Sequence, residues 1–128
     1  MKYALINAAL VGTGGFLGAM FRFGLNQVVQ KYATLSTFPH GTLVVNMLGC
    51  LLIGLAVGFV ETRQLVAPEF RLFVIIGLLG GFTTYSTFAF ETLVLLRDAD
   101  YLRAAINVLI HVIVGVILVW AGYALASR

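Results

Sequence analysis

Gly80-Gly81-Phe82-Thr83-Thr84-Tyr85-Ser86-Thr87-Phe88 is a glycine-rich stretch that turns abruptly to hydroxyls and aromatics, and it lies inside a long oily run. Leu72 to Leu79 precede it and Leu93 to Leu96 follow it. If that run crosses a bilayer, a helix break and a cluster of polar groups fall at membrane depth. Broken backbone is tolerated there only where it is buried in protein or lines a polar cavity. The stretch therefore predicts a broken membrane helix and, beside it, a site for a small polar or charged solute.

Composition supports the membrane reading. Of 128 residues, 61% are hydrophobic and 10% charged, against roughly one quarter charged in ordinary soluble domains. A soluble domain of this size could not cover so much apolar surface, so lipid must cover the remainder. Working outward from the break, four apolar segments emerge, at about 3–29, 42–60, 70–96 and 102–126. Each is close to or above the ~20 residues that a helix needs to cross the hydrocarbon core. The expected architecture is all-α: one membrane domain over 1–128 with four transmembrane helices and a break in the third. The start, Met1-Lys2-Tyr3-Ala4-Leu5-Ile6, has the flavour of a signal peptide, but its apolar run continues too far and is read as a retained first span.

Short polar connections join the segments: Gln30 to Gly41, Glu61 to Glu69, and Arg97-Asp98-Ala99-Asp100. His40 falls in the first and is expected to be solvated. Tyr101, Trp120 and Tyr123 fit an interfacial aromatic belt. The net charge of +3 comes from scattered basic residues that form no patch, so nucleic-acid binding is not expected. The single cysteine, Cys50, excludes an internal disulfide and a cysteine-based zinc site, and reads as packing. No metal-ligand cluster, phosphate loop or nucleophilic triad stands out, so no enzyme is expected.

Lys2, Arg63, Arg71 and Arg128 would lie on one side of the membrane, and Lys31, Arg97 and Arg103 on the other. Cytoplasmic loops normally carry a clear basic excess, and this near-balance predicts a chain that inserts both ways up. An antiparallel, dual-topology homodimer follows naturally. Gly14-x-x-x-Gly18 and Gly54-x-x-x-Gly58 each put two small residues on one helix face. Such faces serve either a dimer interface or close packing within one subunit.

Polar residues within the spans are costly and need an account. Asn46 offers two amide donors, suited to an anion or to a helix-to-helix hydrogen bond. Arg22 either draws anions to a vestibule, snorkels to the interface or pairs with Glu91. Glu91 reads as a structural hydrogen-bonding or ion-pairing group, with a part in passing an ion along as the other reading. Asn107 and His111, spaced i, i+4, share a face and either line a polar track or satisfy a neighbouring helix. Tyr85 and Phe88 are three apart, as are Thr84 and Thr87. Aromatic edges are electropositive, so these rings either line an anion path or simply pack.

Taken together, Gly18-Ala19-Met20-Phe21-Arg22, Gly41-Thr42-Leu43-Val44-Val45-Asn46 and the Gly80 to Phe88 stretch resemble the Fluc/CrcB family of microbial fluoride channels in sequence and order. The resemblance implies a dual-topology homodimer in the bacterial inner (plasma) membrane. Two parallel pores would carry fluoride passively out of the cytoplasm and relieve its toxicity. It implies a central structural sodium ion held by the backbone carbonyls of Gly80 and Thr83. It places Tyr85 and Phe88 as pore aromatics, Asn46 as the pore amide, Ser86 and Thr87 on a hydroxyl track, and Arg22 toward a vestibule. Two departures stand out. The first aromatic, usually phenylalanine in that family, is Tyr85 here. Span four has Asn107, His111 and Gly115 where members often carry serine or tyrosine.

A proton-coupled multidrug exporter is the alternative of a different class. Small four-span exporters also insert both ways up, but they need a membrane carboxylate in the first span, and here that span holds no Asp or Glu. A non-transporting assembly subunit is a third reading, for which the glycine faces alone would suffice.

Overall fold

A computed structural model describes residues 2–33, 37–63 and 67–128. The middles of the first two connections, 34–36 and 64–66, and the Met1 end of the opening apolar run lie outside the described residues. Among those described, the fold is all-helical. Helix α1 is Lys2–Tyr32 and α2 is His40–Thr62. The third span, Pro68–Arg97, is two pieces: α3 over residues 68–82 and α4 over Tyr85–Arg97. Helix α5 is Tyr101–Ala126. These four spans are long and apolar enough to cross a membrane, the shortest having 23 residues, about 35 Å at helical rise.

The helices pack in pairs, α1 on α3 and α2 on α5, through glycine. A Cβ placed on Gly18 would lie 2.1 Å from the Leu78 carbonyl oxygen, and one on Gly54 would lie 2.1 Å from that of Val119. The contacts are reciprocal: Gly81 faces the Gly15 backbone and Gly122 faces Leu51. Lipid tails are as apolar as leucine, so such helices gain from van der Waals contact rather than from hydrophobic burial, and close approach is what glycine supplies. Of the two uses read for the Gly14/Gly18 and Gly54/Gly58 faces, the structure shows packing inside one subunit.

Two stretches, Arg71–Leu79 and Ile110–Val114, have the wider π-helical turn, and each runs into a glycine, Gly80 or Gly115. Wide turns of this kind recur at functional sites, and the second contains His111. His40 is the first residue of α2 rather than part of the connection; it is half-buried, and its ring meets that of Phe38 at 5.0 Å.

The α4–α5 turn is closed by two backbone bonds, Ala99 N to Leu96 O at 3.1 Å and Asp100 N to Leu95 O at 2.9 Å. This pattern needs a left-handed residue, and Ala99 takes it with φ 58°. Glycine adopts that conformation without the Cβ penalty. Ala99→Gly should therefore stabilise the protein by about 0.5–1 kcal/mol, read as a rise in unfolding temperature; a fall would show that the turn is not strained. Asp100 caps α5 by accepting from Arg103 N at 3.3 Å, and the Arg103 guanidinium reaches both Asp100 and Thr37, tying the first connection to the third.

Candidate functional site

The break falls where the sequence puts its two threonines. Thr83 (φ −84°, ψ 160°) and Thr84 (φ −149°, ψ 118°) are extended. Threonine, stiff at χ1, suits extended backbone. The interruption is held from across the fold. Asn46 Nδ2 donates to the Thr84 carbonyl at 3.0 Å, and Thr84 N donates to Asn46 Oδ1 at 2.9 Å. One side-chain amide thus satisfies both backbone groups of the broken residue, in place of the helix it has left. Asn46 is 8% exposed and Thr84 half-buried, so the pair is largely shielded from water.

The restart is local. Thr84 Oγ1 accepts from Thr87 N at 3.3 Å, capping α4, and donates to Thr87 Oγ1 at 2.9 Å. These bonds redirect two N–H groups. In a continuous helix Thr84 N would serve the Gly80 carbonyl and Thr87 N the Thr83 carbonyl. Here they serve Asn46 and Thr84 Oγ1 instead, so the Gly80 and Thr83 carbonyls both lose their helical donors. Thr83 O accepts from Arg22 Nη1 at 3.2 Å. Arg22 is therefore a partner of the break and not of Glu91. The Glu91 carboxylate accepts from Thr42 Oγ1 at 2.7 Å.

Beside the break runs a groove of about 370 Å³, walled by Asn46, Cys50, Thr83, Thr84, Phe88 and His111 among others. Gly80 and Tyr85 also border it. Phe88 is buried at 8% exposure, whereas Tyr85 is 80% exposed. The two rings meet at 5.6 Å between centroids, and Phe88 lies 4.3 Å from the His111 ring. Ser86 is exposed, 3.5 Å from Thr84 Oγ1. Thr87 borders a second, more polar pocket of about 290 Å³ with Asn26, Gln27, Gln30, Thr42 and Glu91.

The fourth span joins through a relay. Thr92 Oγ1 donates to the Phe88 carbonyl at 2.8 Å and accepts from Asn107 Nδ2 at 2.9 Å. His111 Nδ1 lies 2.9 Å from the Asn107 carbonyl oxygen. Asn107 is fully buried at 0% exposure, and it both satisfies a neighbouring helix and supports the ring above. Among the described residues Glu91 Oε2, Asn107 Oδ1 and His111 Nε2 are buried with no hydrogen-bond partner within the protein.

The structure thus brings Asn46, Gly80, Thr83, Tyr85, Phe88 and His111 to one groove, and sets Thr87 and Glu91 on the neighbouring pocket. Sequence reasoning did not single out Thr42 or Thr92. Their signal is faint: threonine on an apolar helix can bond its own backbone, and only the facing carboxylate or amide distinguishes these two.

A four-span membrane protein with an interrupted third helix and a groove at the interruption is the class that these features define. Residues 9–123 match the profile of the family described as "CrcB-like protein, Camphor Resistance (CrcB)", and the chain belongs to that family. It is 45% identical over 113 residues to the "Fluoride-specific ion channel FluC" of Nitratidesulfovibrio vulgaris, covering 88% of this chain and 90% of the relative. It is 40% identical to the protein so described from Methylobacillus flagellatus, covering 92% of each. The like-named protein of Flavobacterium psychrophilum is 39% identical, over 92% of this chain and 94% of that one.

Proposed function

We propose that this chain is a fluoride-specific ion channel, not an enzyme, and that it lets fluoride leave the cytoplasm passively across the bacterial inner membrane. The observation that carries the reading is likeness along nine-tenths of the chain to relatives described as fluoride-specific channels, in a chain whose third span is broken beside a groove. A drug exporter is disfavoured by the same likeness.

The groove chemistry is consistent with a small dehydrated anion. Fluoride holds its water tightly, and close donors and electropositive ring edges must replace it. The amide of Asn46 has two donor hydrogens, of which Thr84 O takes one. The second is available toward the groove. Phe88 and Tyr85 supply ring edges at the groove, Thr87 supplies a hydroxyl on the neighbouring pocket and Ser86 an exposed one, and Arg22 brings a positive charge to the break.

A second, oppositely inserted copy completes the site in this reading. Tyr85 and Ser86 carry hydroxyls at membrane depth and are exposed in the single chain. Facing lipid, such groups would be costly. Covered by another copy they would line a pathway, and a two-fold axis then gives two of them.

The carbonyls of Gly80 and Thr83, stripped of helical donors, suit a hard cation such as sodium, two from each copy. Each carbonyl has two lone pairs, so Thr83 O can keep Arg22 and still face a cation. When bound there, the ion supplies positive charge and ties the two breaks together.

The deciding experiment is reconstitution. Vesicles loaded with sodium fluoride should release it rapidly with no proton gradient, and should release chloride slowly. Equal release of both ions would end the reading. Phe88→Ile keeps an apolar side chain but removes the ring edge, and should slow fluoride release by roughly tenfold or more, the loss expected from one such contact of ~1.4 kcal/mol. Unchanged release with intact assembly would take that ring out of the pathway.

A further inference from the structure

Among the described residues at the groove, His111 is the titratable side chain whose hydrogen-bonding state the structure fixes on one side and leaves open on the other. Its Nδ1 lies 2.9 Å from a backbone carbonyl oxygen, that of Asn107. A carbonyl only accepts, so Nδ1 carries a hydrogen. In the neutral ring Nε2 is then a bare lone pair. That atom is buried and has no partner within the protein. An unpaired buried acceptor is unfavourable. A buried imidazolium N–H with nothing to receive it would be more so. A small anion beside Nε2 changes the balance, because the protonated ring then gains a charge-assisted hydrogen bond.

We infer that His111 Nε2 is a proton-linked halide subsite: the imidazole takes up a proton from bulk water as a small anion settles next to Phe88, and gives it back as the anion leaves. The only bond made or broken is N–H. The proton adds to the Nε2 lone pair, and the charge of the resulting imidazolium is balanced by the halide.

Position supports this. His111 and Phe88 border the same groove with ring centroids 4.3 Å apart, and the wide turn Ile110–Val114 sets the imidazole there. In this proposal the anion reaches Nε2 from the groove, beside the Phe88 ring. Among the described residues, the other ionisable groups near the groove on the surrounding elements are few. Cys50 on α2 and Tyr85 on α4 border the same groove. Glu91 on α4 is held by Thr42, and Arg22 on α1 is engaged with Thr83 O. None forms an ion pair with His111, and the Asn107 carbonyl is its hydrogen-bond partner. The imidazole is thus the group here whose charge can follow the ion. The inference takes its choice of ion from the channel reading, but its chemistry stands without conduction.

Linkage makes the test reciprocal: if a proton aids halide binding, halide aids protonation by the same factor. The intact protein, labelled with nitrogen-15 in detergent, is titrated in sodium fluoride and in sodium gluconate at equal ionic strength. The His111 imidazole signal is assigned by its loss in His111→Gln. Its midpoint should lie about one pH unit higher in fluoride, a tenfold coupling. Identical midpoints in the two salts would overturn the inference, whatever the flux. In vesicles, fluoride release corrected for protein-free vesicles should change several-fold between about pH 6 and 8, and His111→Gln and His111→Asn should flatten that change. A wild-type profile as flat as the variants' counts against a role in permeation. Absence of fluoride release at any pH instead sinks the channel reading, and the midpoint comparison still decides the subsite.

Discussion

Asn46→Leu should cost the protein most of its fluoride release while leaving four helices in place. Leucine keeps the branched outline of asparagine, so the helix still packs, but the Thr84 N–H and carbonyl both lose their partner. Each orphaned half-buried group costs up to about 1–3 kcal/mol, and two together strain an irregular backbone at membrane depth. The break must then reclose toward helix, admit water or collapse into the groove. Any of these moves Phe88 and the Thr83 carbonyl from their positions, so release should fall by at least about tenfold, the equivalent of ~1.4 kcal/mol. Amide exchange reads the cause directly. The Thr84 N–H should be protected in the wild type and should exchange quickly in Asn46→Leu. A protected Thr84 amide in the variant would mean that something other than Asn46 holds the interruption.

The second large effect is expected at Gly18. A Cβ there would stand 2.1 Å from the Leu78 carbonyl oxygen and 2.7 Å from Phe82 N. Both are backbone atoms of α3, so no rotamer change can clear them. Gly18→Val must push α1 from α3 and lose the contacts along that seam, a cost of at least ~2–3 kcal/mol by analogy with overpacked cores. The expected result is protein that extracts as aggregate rather than as a single species. Gly12 is the control: nothing lies within 4 Å of a Cβ there. Gly12→Ala should be neutral or stabilise by up to ~1 kcal/mol through helix propensity. Equal behaviour of the two variants would contradict the seam.

Much of this was legible in the sequence, and the reasons differ by residue. Span number followed from apolar length, and the break followed from a glycine pair and four hydroxyl residues inside an oily run. Both signals are local. The break lies at Thr83 and Thr84 because extended backbone is satisfied there by Asn46, and no local pattern announces a partner 38 positions away. The same blindness explains Arg22. Charge allowed a vestibule, an interfacial or a Glu91-pairing role, yet the guanidinium found a carbonyl that the break had released. Glycine spacing predicted close approach but not whose backbone approaches, since a seam within one chain and a seam between two copies leave the same pattern. His40 reads from the sequence as part of a connection, but the helix begins on it.

The interruption also has an electrical consequence. Only two residues separate the end of α3 from the start of α4. The end of a helix is partly negative and the start of one partly positive, each by about half an elementary charge. A single gap therefore presents both polarities side by side in the least polarisable part of the membrane. A cation lodged against the closing turn and an anion passing the opening turn would stabilise one another, so draining one ion should loosen the grip on its opposite.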